Sequence, residues 1–436
     1  MHQQMNAEKI ERRFSGLIKL LGILFALNLF FVSIALLGSF KAIGKGYGQE
    51  LIFDLASNPF IGLFIGILVT SIAQSSSATT SLVVALIAGG TFGSDPETSI
   101  RLAIPIIIGA NIGTTITNIL VSMGSLARKK EFDRAFKAAT VHDFFNFLSV
   151  IIIFPLQYFT NFLGHASLHM ARLFDNVGGV KFASPLKMLI KPQTKAIESL
   201  FNQLPFLIEF ILNLAFWLAI LYAIIIIVKR IVESRPIGLR TLMIAVLLAA
   251  AGTLLGMRPS WLFCCEAALF ILGLGMLFSA LYIFVATMRS MVIERFTVLL
   301  DKFVFKTDAH AMTAAALLTA IVQSSSVTTS VVVPLAAAGL LNLRQIYPYM
   351  LGANIGTTIT AILAALSTKN VPAIAVAFSH TIFNILGISI WYPLRKVPLF
   401  LAERVGGYLT KSPVYALLFV GFIFFIIPLI LIVSFR

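Results

Sequence analysis

Two stretches of hydroxyls and amides lie inside apolar runs of this chain. The first is Gln74-Ser75-Ser76-Ser77, within TSIAQSSSATTSLVVAL; the second is Gln323-Ser324-Ser325-Ser326, within TAIVQSSSVTTSVVVPL. Thr79 and Thr328 follow each block closely. Buried polar groups cost free energy unless they find partners, so two near-identical polar blocks point to partners that matter, a ligand among them. Each block has a companion downstream. GANIGTTIT occurs at 109–117 and again at 352–360, identical at every position, and supplies Asn111, Thr114, Thr115 and Asn354, Thr357, Thr358. No Lys, Arg, Asp or Glu lies in either motif. Where a helix begins, free N–H groups and the positive end of its dipole favour an anion. Where one ends, bare carbonyls favour a cation, joined by Gln, Asn and hydroxyl oxygens. Neutral donors and dipoles, with the cation itself bringing positive charge, make a site that can load and also release.

A third motif recurs in the same order: His142-x-x-x-Asn146 and His380-x-x-x-Asn384. A histidine in such a place reads either as a proton relay or as a satisfied group bonding its repeat neighbours, and the second reading places these four residues in a supporting layer around the site. Asp143 breaks the symmetry, because Thr381 stands opposite. Glu209 and Glu266 are further charges in apolar runs, each near a predicted helix end. Small polar residues also serve as contacts between membrane helices. That explanation suffices for one Ser/Thr pair but not for two duplicated blocks, each with its own companion. Enzyme signatures such as G-x-x-x-x-G-K-[ST], H-E-x-x-H and G-x-S-x-G are missing, so the chain is read as not an enzyme, without ATP chemistry of its own.

The elements that hold these motifs follow from composition. Of 436 residues, 58% are hydrophobic and 12% charged, whereas a soluble domain carries about 25% charged residues. Apolar runs reach roughly 20 residues, the length a helix needs to cross a hydrocarbon core. The expected fold class is therefore an all-α polytopic membrane protein. The net charge of +15 is read as loop residues that set orientation, not as a nucleic-acid surface. Cys264 and Cys265 are adjacent within a span and offer neither a disulfide framework nor a metal set.

Residues 1–15 form a polar cytoplasmic head, with no A-x-A-like cleavage site after it, so the first helix is retained. Expected spans are 16–40, 101–123, 138–163 and 204–228, then 261–287, 345–367, 372–392 and 413–434. The stretch 164–203 is polar and amphipathic. The segments 59–90 and 309–340 are too long for one span and too short for two with a loop. Each is read as a re-entrant helical hairpin folded at its polar block. GANIGTT, with its glycines and threonines, is expected to interrupt the helix that carries it. The motifs divide the chain into a first repeat, 16–228, a linker, 229–260, with a short helix at 241–257, and a second repeat, 261–436. That short helix makes about nine crossings in all and inverts the second repeat. The basic loop with Arg128, Lys129, Lys130, Arg134 and Lys137 then lies inside, the N-terminus inside and the C-terminus outside. Inverted repeats with interrupted helices are the architecture of secondary transporters, with the site at the midplane.

The duplicated QSSS blocks, the two G-A-N-I-G-T-T segments, V-H-D-F-F-N-F-L-S-V, EFDRAFKAATVHDFFN at 131–146 and K-P-x-T-K at 191–195 together resemble the type II sodium-dependent phosphate cotransporter family, over nearly the whole chain and in its bacterial form. The resemblance implies inorganic phosphate and Na+ as partners, Na+ as the one metal and no cofactor, in the plasma (inner) membrane of the cell. It implies symport by alternating access at a midplane site between the two hairpins. Carried over, Ser75, Ser76, Ser324, Ser325, Asn111 and Asn354 are assigned to phosphate. Gln74, Ser77, Thr79, Thr114, Thr115, Gln323, Ser326, Thr328, Thr357 and Thr358 are assigned to sodium. His142, Asn146, His380 and Asn384 support them. Electrogenic animal members carry an acidic residue where this chain aligns Arg128, which points to electroneutral coupling here. The residues themselves leave two alternatives open. Neutral hydroxyls suit sulfate, arsenate or a dicarboxylate as well as phosphate, and a passive anion channel or exporter can also be built from inverted repeats.

Overall fold

The computed structural model describes residues 19–33, 55–93, 95–177, 192–197, 272–277 and 304–435, with isolated positions between them. Among the described residues every regular element is a helix. In chain order they are α1 (Lys19–Ser33), α2 (Pro59–Ala73), α3 (Ser76–Ala88), α4 (Pro96–Thr114), α5 (Ile116–Met123), α6 (Lys129–Thr160) and α7 (Phe162–Val177). The second set is α8 (Asp308–Val322), α9 (Ser325–Ala337), α10 (Leu343–Thr368), α11 (Val371–Trp391) and α12 (Lys396–Leu401), then α13 (Pro413–Ser434). The expected head 1–15, the spans at 204–228 and 241–257 and most of 261–287 lie outside the described residues.

Both hairpins form as expected, and their sequence explains how. Asn58 caps α2, accepting from Phe60 N, with Pro59 preset for the first turn. Thr307 caps α8 through His310 N. The chain then leaves each helix at a glutamine in the left-handed region, Gln74 at φ 50° and Gln323 at φ 53°. The following serine starts the next helix as its cap, Ser75 accepting from Ala78 N and Ser324 from Val327 N. At 15 residues the first helix of each hairpin is about 22 Å long, short of the ~30 Å hydrocarbon core. By length, the first helix of neither hairpin reaches across that core.

Five helices among the described residues are long and apolar enough to cross: Pro96–Met123, Lys129–Thr160, Leu343–Thr368, Val371–Trp391 and Pro413–Ser434. On α13 the side chains of Leu417, Leu418, Ile430 and Val433 are exposed, the face a lipid-bound helix presents to acyl chains. The stretch expected to be polar and amphipathic from 164 onward begins as part of α7, which packs against α11.

The expectation that GANIGTT interrupts its helix needs correction. α10 runs unbroken through the second copy. In the first copy only Thr115 separates α4 from α5, and its backbone stays in the right-handed helical region at φ −71°, ψ −21°. The glycines serve another purpose. A methyl group placed on Gly109 would lie 2.0 Å from the Leu63 carbonyl oxygen, and one on Gly352 would lie 2.0 Å from that of Met312. Gly113 and Gly356 face Ile67 and Ala316 in the same way, at 2.6 and 2.4 Å. In each half the GANIG helix thus lies backbone to backbone against the first helix of the hairpin, an approach that small residues permit in membranes.

The halves interlock. α3 packs on α10, while α9 packs on α5 and α6, and α11 crosses to α4. The second helix of each hairpin is therefore held by the opposite half. This brings both polar blocks to the same region.

Candidate functional site

The tips of the two hairpins touch through reciprocal contacts. Ser77 Oγ donates to the Gln323 carbonyl oxygen at 3.1 Å, and Ser326 Oγ donates to that of Gln74 at 3.4 Å. These carbonyls are the ones left bare where α2 and α8 end. Ser77 also reaches Thr360 Oγ1 at 3.4 Å. Ser76, Ser77, Thr79, Gln323, Ser325 and Thr328 are buried, whereas Gln74, Ser75, Ser324 and Ser326 are partly accessible. The helix starts at Ser75 and Ser324 thus remain reachable at the junction.

A buried amide and imidazole network lies beside the tips. His142 Nε2 stands 2.7 Å from Asn354 Oδ1, and His380 Nε2 stands 3.1 Å from Asn111 Oδ1. Asn354 Nδ2 donates to Asn146 Oδ1, Asn146 Nδ2 to the Asn111 carbonyl oxygen, and Asn384 Nδ2 to Asn111 Oδ1. Each half's histidine therefore serves the other half's asparagine. His142 Nδ1 accepts from Asn118 Nδ2 at 3.1 Å, so both ring nitrogens are occupied and the ring is the neutral tautomer with hydrogen on Nε2. Both of its ring nitrogens thus have partners within the protein. His380 Nδ1 has no partner, because the position matching Asn118 is Ala361.

How each hydroxyl spends its hydrogen separates the candidate ligands. Thr114 donates to the Ala110 carbonyl, Thr115 to Ile112, Thr357 to Ala353 and Thr358 to Ile355. Thr79 and Thr328 donate to the Ser75 and Ser324 carbonyls. A hydroxyl whose hydrogen is used turns only lone pairs outward, which suits a cation. Ser75 and Ser324 do the opposite: their oxygens accept from the backbone, and the O–H is left to donate, which suits an anion. Asn111 and Asn354, assigned to phosphate in the sequence reading, have their amide oxygens taken by the histidines, and each side-chain nitrogen also donates within the protein.

Sequence reasoning missed Asn118, Thr329 and Thr360. Thr329 Oγ1 donates to Asn118 Oδ1 at 2.8 Å, which closes a chain from α9 through α5 to His142. Thr329 and Thr360 lie inside the duplicated motifs and were readable there. Asn118 follows directly where the two copies diverge, so the repeat gave it no signal. Among the described residues no group of three or more His, Cys, Asp or Glu converges as a chelating metal site.

A family model described as Na+/Pi-cotransporter matches residues 29–178 and 276–402, so the match covers both polar blocks and both GANIGTT copies. Among curated proteins, sodium-dependent phosphate transport protein 2A of Ovis aries is 33% identical, over 97% of this chain and 68% of its own length. The 2A protein of Oryctolagus cuniculus is 34% identical over the same shares. Protein 2B of Homo sapiens is 32% identical, over 95% of this chain and 65% of its own. No solved structure matches. With the matched segments holding every element of the paired hairpin site, the chain belongs to the Na+/Pi-cotransporter family.

Proposed function

We propose that this chain imports inorganic phosphate by symport with sodium, through alternating access at the junction of the two QSSS hairpins. The observation that carries this reading is the reciprocal tip contact, Ser77 to the Gln323 carbonyl and Ser326 to the Gln74 carbonyl. Helix starts and helix ends from both halves converge there, so anion and cation donors share one place. The names of the relatives, sodium-dependent phosphate transport proteins, supply the occupants. Phosphate is bound by Ser75, Ser76, Ser324 and Ser325 at the starts of α3 and α9. Sodium takes lone pairs from the threonine pairs at 114–115 and 357–358, from Thr79 and Thr328, and from the glutamine and serine oxygens of the tips. Asn111 and Asn354 act with the two histidines as the frame between the halves. The repeats are inverted, the loop at 128–137 is cytoplasmic and the protein lies in the inner membrane.

Purified protein in liposomes tests this directly. An inward sodium gradient is expected to drive radiolabelled phosphate uptake, and potassium in its place to abolish it. Unlabelled arsenate should compete well and sulfate poorly. Equal uptake in potassium removes symport and leaves a passive pathway, while stronger competition by sulfate than by phosphate reassigns the anion.

A further inference from the structure

Asp143 is unlike every other residue near the site. It lies midway along α6, with no exposed surface, and is the one Asp or Glu among the fully buried described residues. Neither carboxyl oxygen has a hydrogen-bond partner. No Lys or Arg is buried among the described residues to neutralise it. The side chain that bears on it is the Thr115 hydroxyl, at the joint between α4 and α5. Thr115 spends its hydrogen on the Ile112 carbonyl at 2.9 Å and so turns lone pairs outward. An unpaired carboxylate buried this way is strongly disfavoured, and inside a membrane an ionisable group of this kind marks an ion path. Two kinds of oxygen donor, one of them anionic and with no positive side chain beside it, make a place for a small hard cation. A lone carboxylate without a cluster of acids matches a monovalent ion better than a divalent one.

The corresponding place in the second half is Thr381, whose buried hydroxyl is likewise without a partner. The two halves therefore present the same gap with different charge. We propose that Asp143, with Thr115, is the carboxylate ligand of one transported sodium ion, and that the matching place at Thr381 is neutral and binds cation more weakly or not at all. The inference rests on the sodium-coupled reading above and adds to it the residue that sets which half loads sodium first.

The test uses the full chain, purified in phosphate-free choline buffer, with sodium chloride titrated against the unfolding temperature. For wild type the temperature should rise with sodium. Asp143→Asn should need at least about tenfold more sodium for the same rise, while in choline alone it unfolds no lower than wild type, because the neutral amide is the cheaper group to bury. Asp143→Glu should keep part of the response. A wild-type sodium response in Asp143→Asn overturns the proposal, as does a response to pH in place of sodium that Asp143→Asn removes. Should Asp143→Asn fail to fold, Thr115→Val carries the test: it must weaken the sodium response several-fold, and an unchanged response overturns the proposal. The readout contains no phosphate. Loss of sodium-driven phosphate uptake in wild type, with the sodium response intact, would thus defeat the transport reading and not this one.

Discussion

At the scale of single residues, the site is sorted by where each hydroxyl sends its hydrogen. Ser75 and Ser324 accept from the backbone and have an O–H to give; Thr114 and Thr357 have already given theirs. Hydrogen bonds to a charged ligand contribute about 1.5–3 kcal/mol. Ser75→Ala or Ser324→Ala is therefore expected to raise the phosphate KM about tenfold or more, with Ser75→Thr keeping most of the affinity. Thr357→Val should instead raise the sodium requirement and leave the phosphate KM nearly unchanged at saturating sodium. The saturating condition matters, because two ligands on one protein alter each other's apparent affinity reciprocally. Uptake kinetics in liposomes read both, and a Ser75→Ala protein with unchanged phosphate KM would remove that serine from the anion site. A separate, smaller effect is expected on stability, since losing the cap at a helix start costs about 1 kcal/mol.

At the scale of elements, the hairpins were legible in the sequence and the GANIGTT helices only partly. A run of polar residues in the middle of an apolar segment of awkward length has one economical solution, two short helices meeting at the polar residues. The glutamine, serine and small residues at the bend then fall into place. Glycine is ambiguous. The same Gly109 that weakens a helix also lets another backbone come close, and a single sequence does not say which use applies until Leu63 is found against it. The cross-half pairs were hidden for a different reason: His142 and Asn354 are joined only by the fold, and no local pattern couples them. Packing supplies its own prediction. Gly109→Ala and Gly352→Ala push a methyl group into a carbonyl oxygen of the hairpin, and overpacking of this kind costs about 1–3 kcal/mol or more. Gly421→Ala, where nothing lies within 4 Å, is the matched control. Unfolding temperatures in detergent should fall for the first two and stay for the third. Helix propensity alone would raise all three, since Ala is the better helix former, so an unchanged or raised unfolding temperature for Gly109→Ala and Gly352→Ala would remove the contact argument.

At the scale of the whole molecule, the interlocked halves bear on how much work one transport cycle does. Moving one charge across ~100 mV is worth about 2.3 kcal/mol, and a tenfold gradient about 1.4 kcal/mol. Two sodium ions with divalent phosphate carry no net charge and supply roughly 2.8 kcal/mol, or ~100-fold accumulation. A third sodium would raise this to about 6.5 kcal/mol and make uptake respond to voltage. Arg128 sits at the exposed start of α6 and pairs with Glu131 at 3.1 Å. With Asp143 holding one sodium, as proposed above, and the neutral oxygens of the tips another, the count is two ions. The expected outcome is phosphate-dependent sodium uptake at two ions per phosphate, with no substrate-evoked current in a voltage-clamped membrane and an unchanged rate when an inside-negative potential is imposed. A phosphate-evoked inward current would require a third sodium site, and the search for its ligands would then begin away from Arg128, among the unpartnered hydroxyls of Thr117 and Thr319.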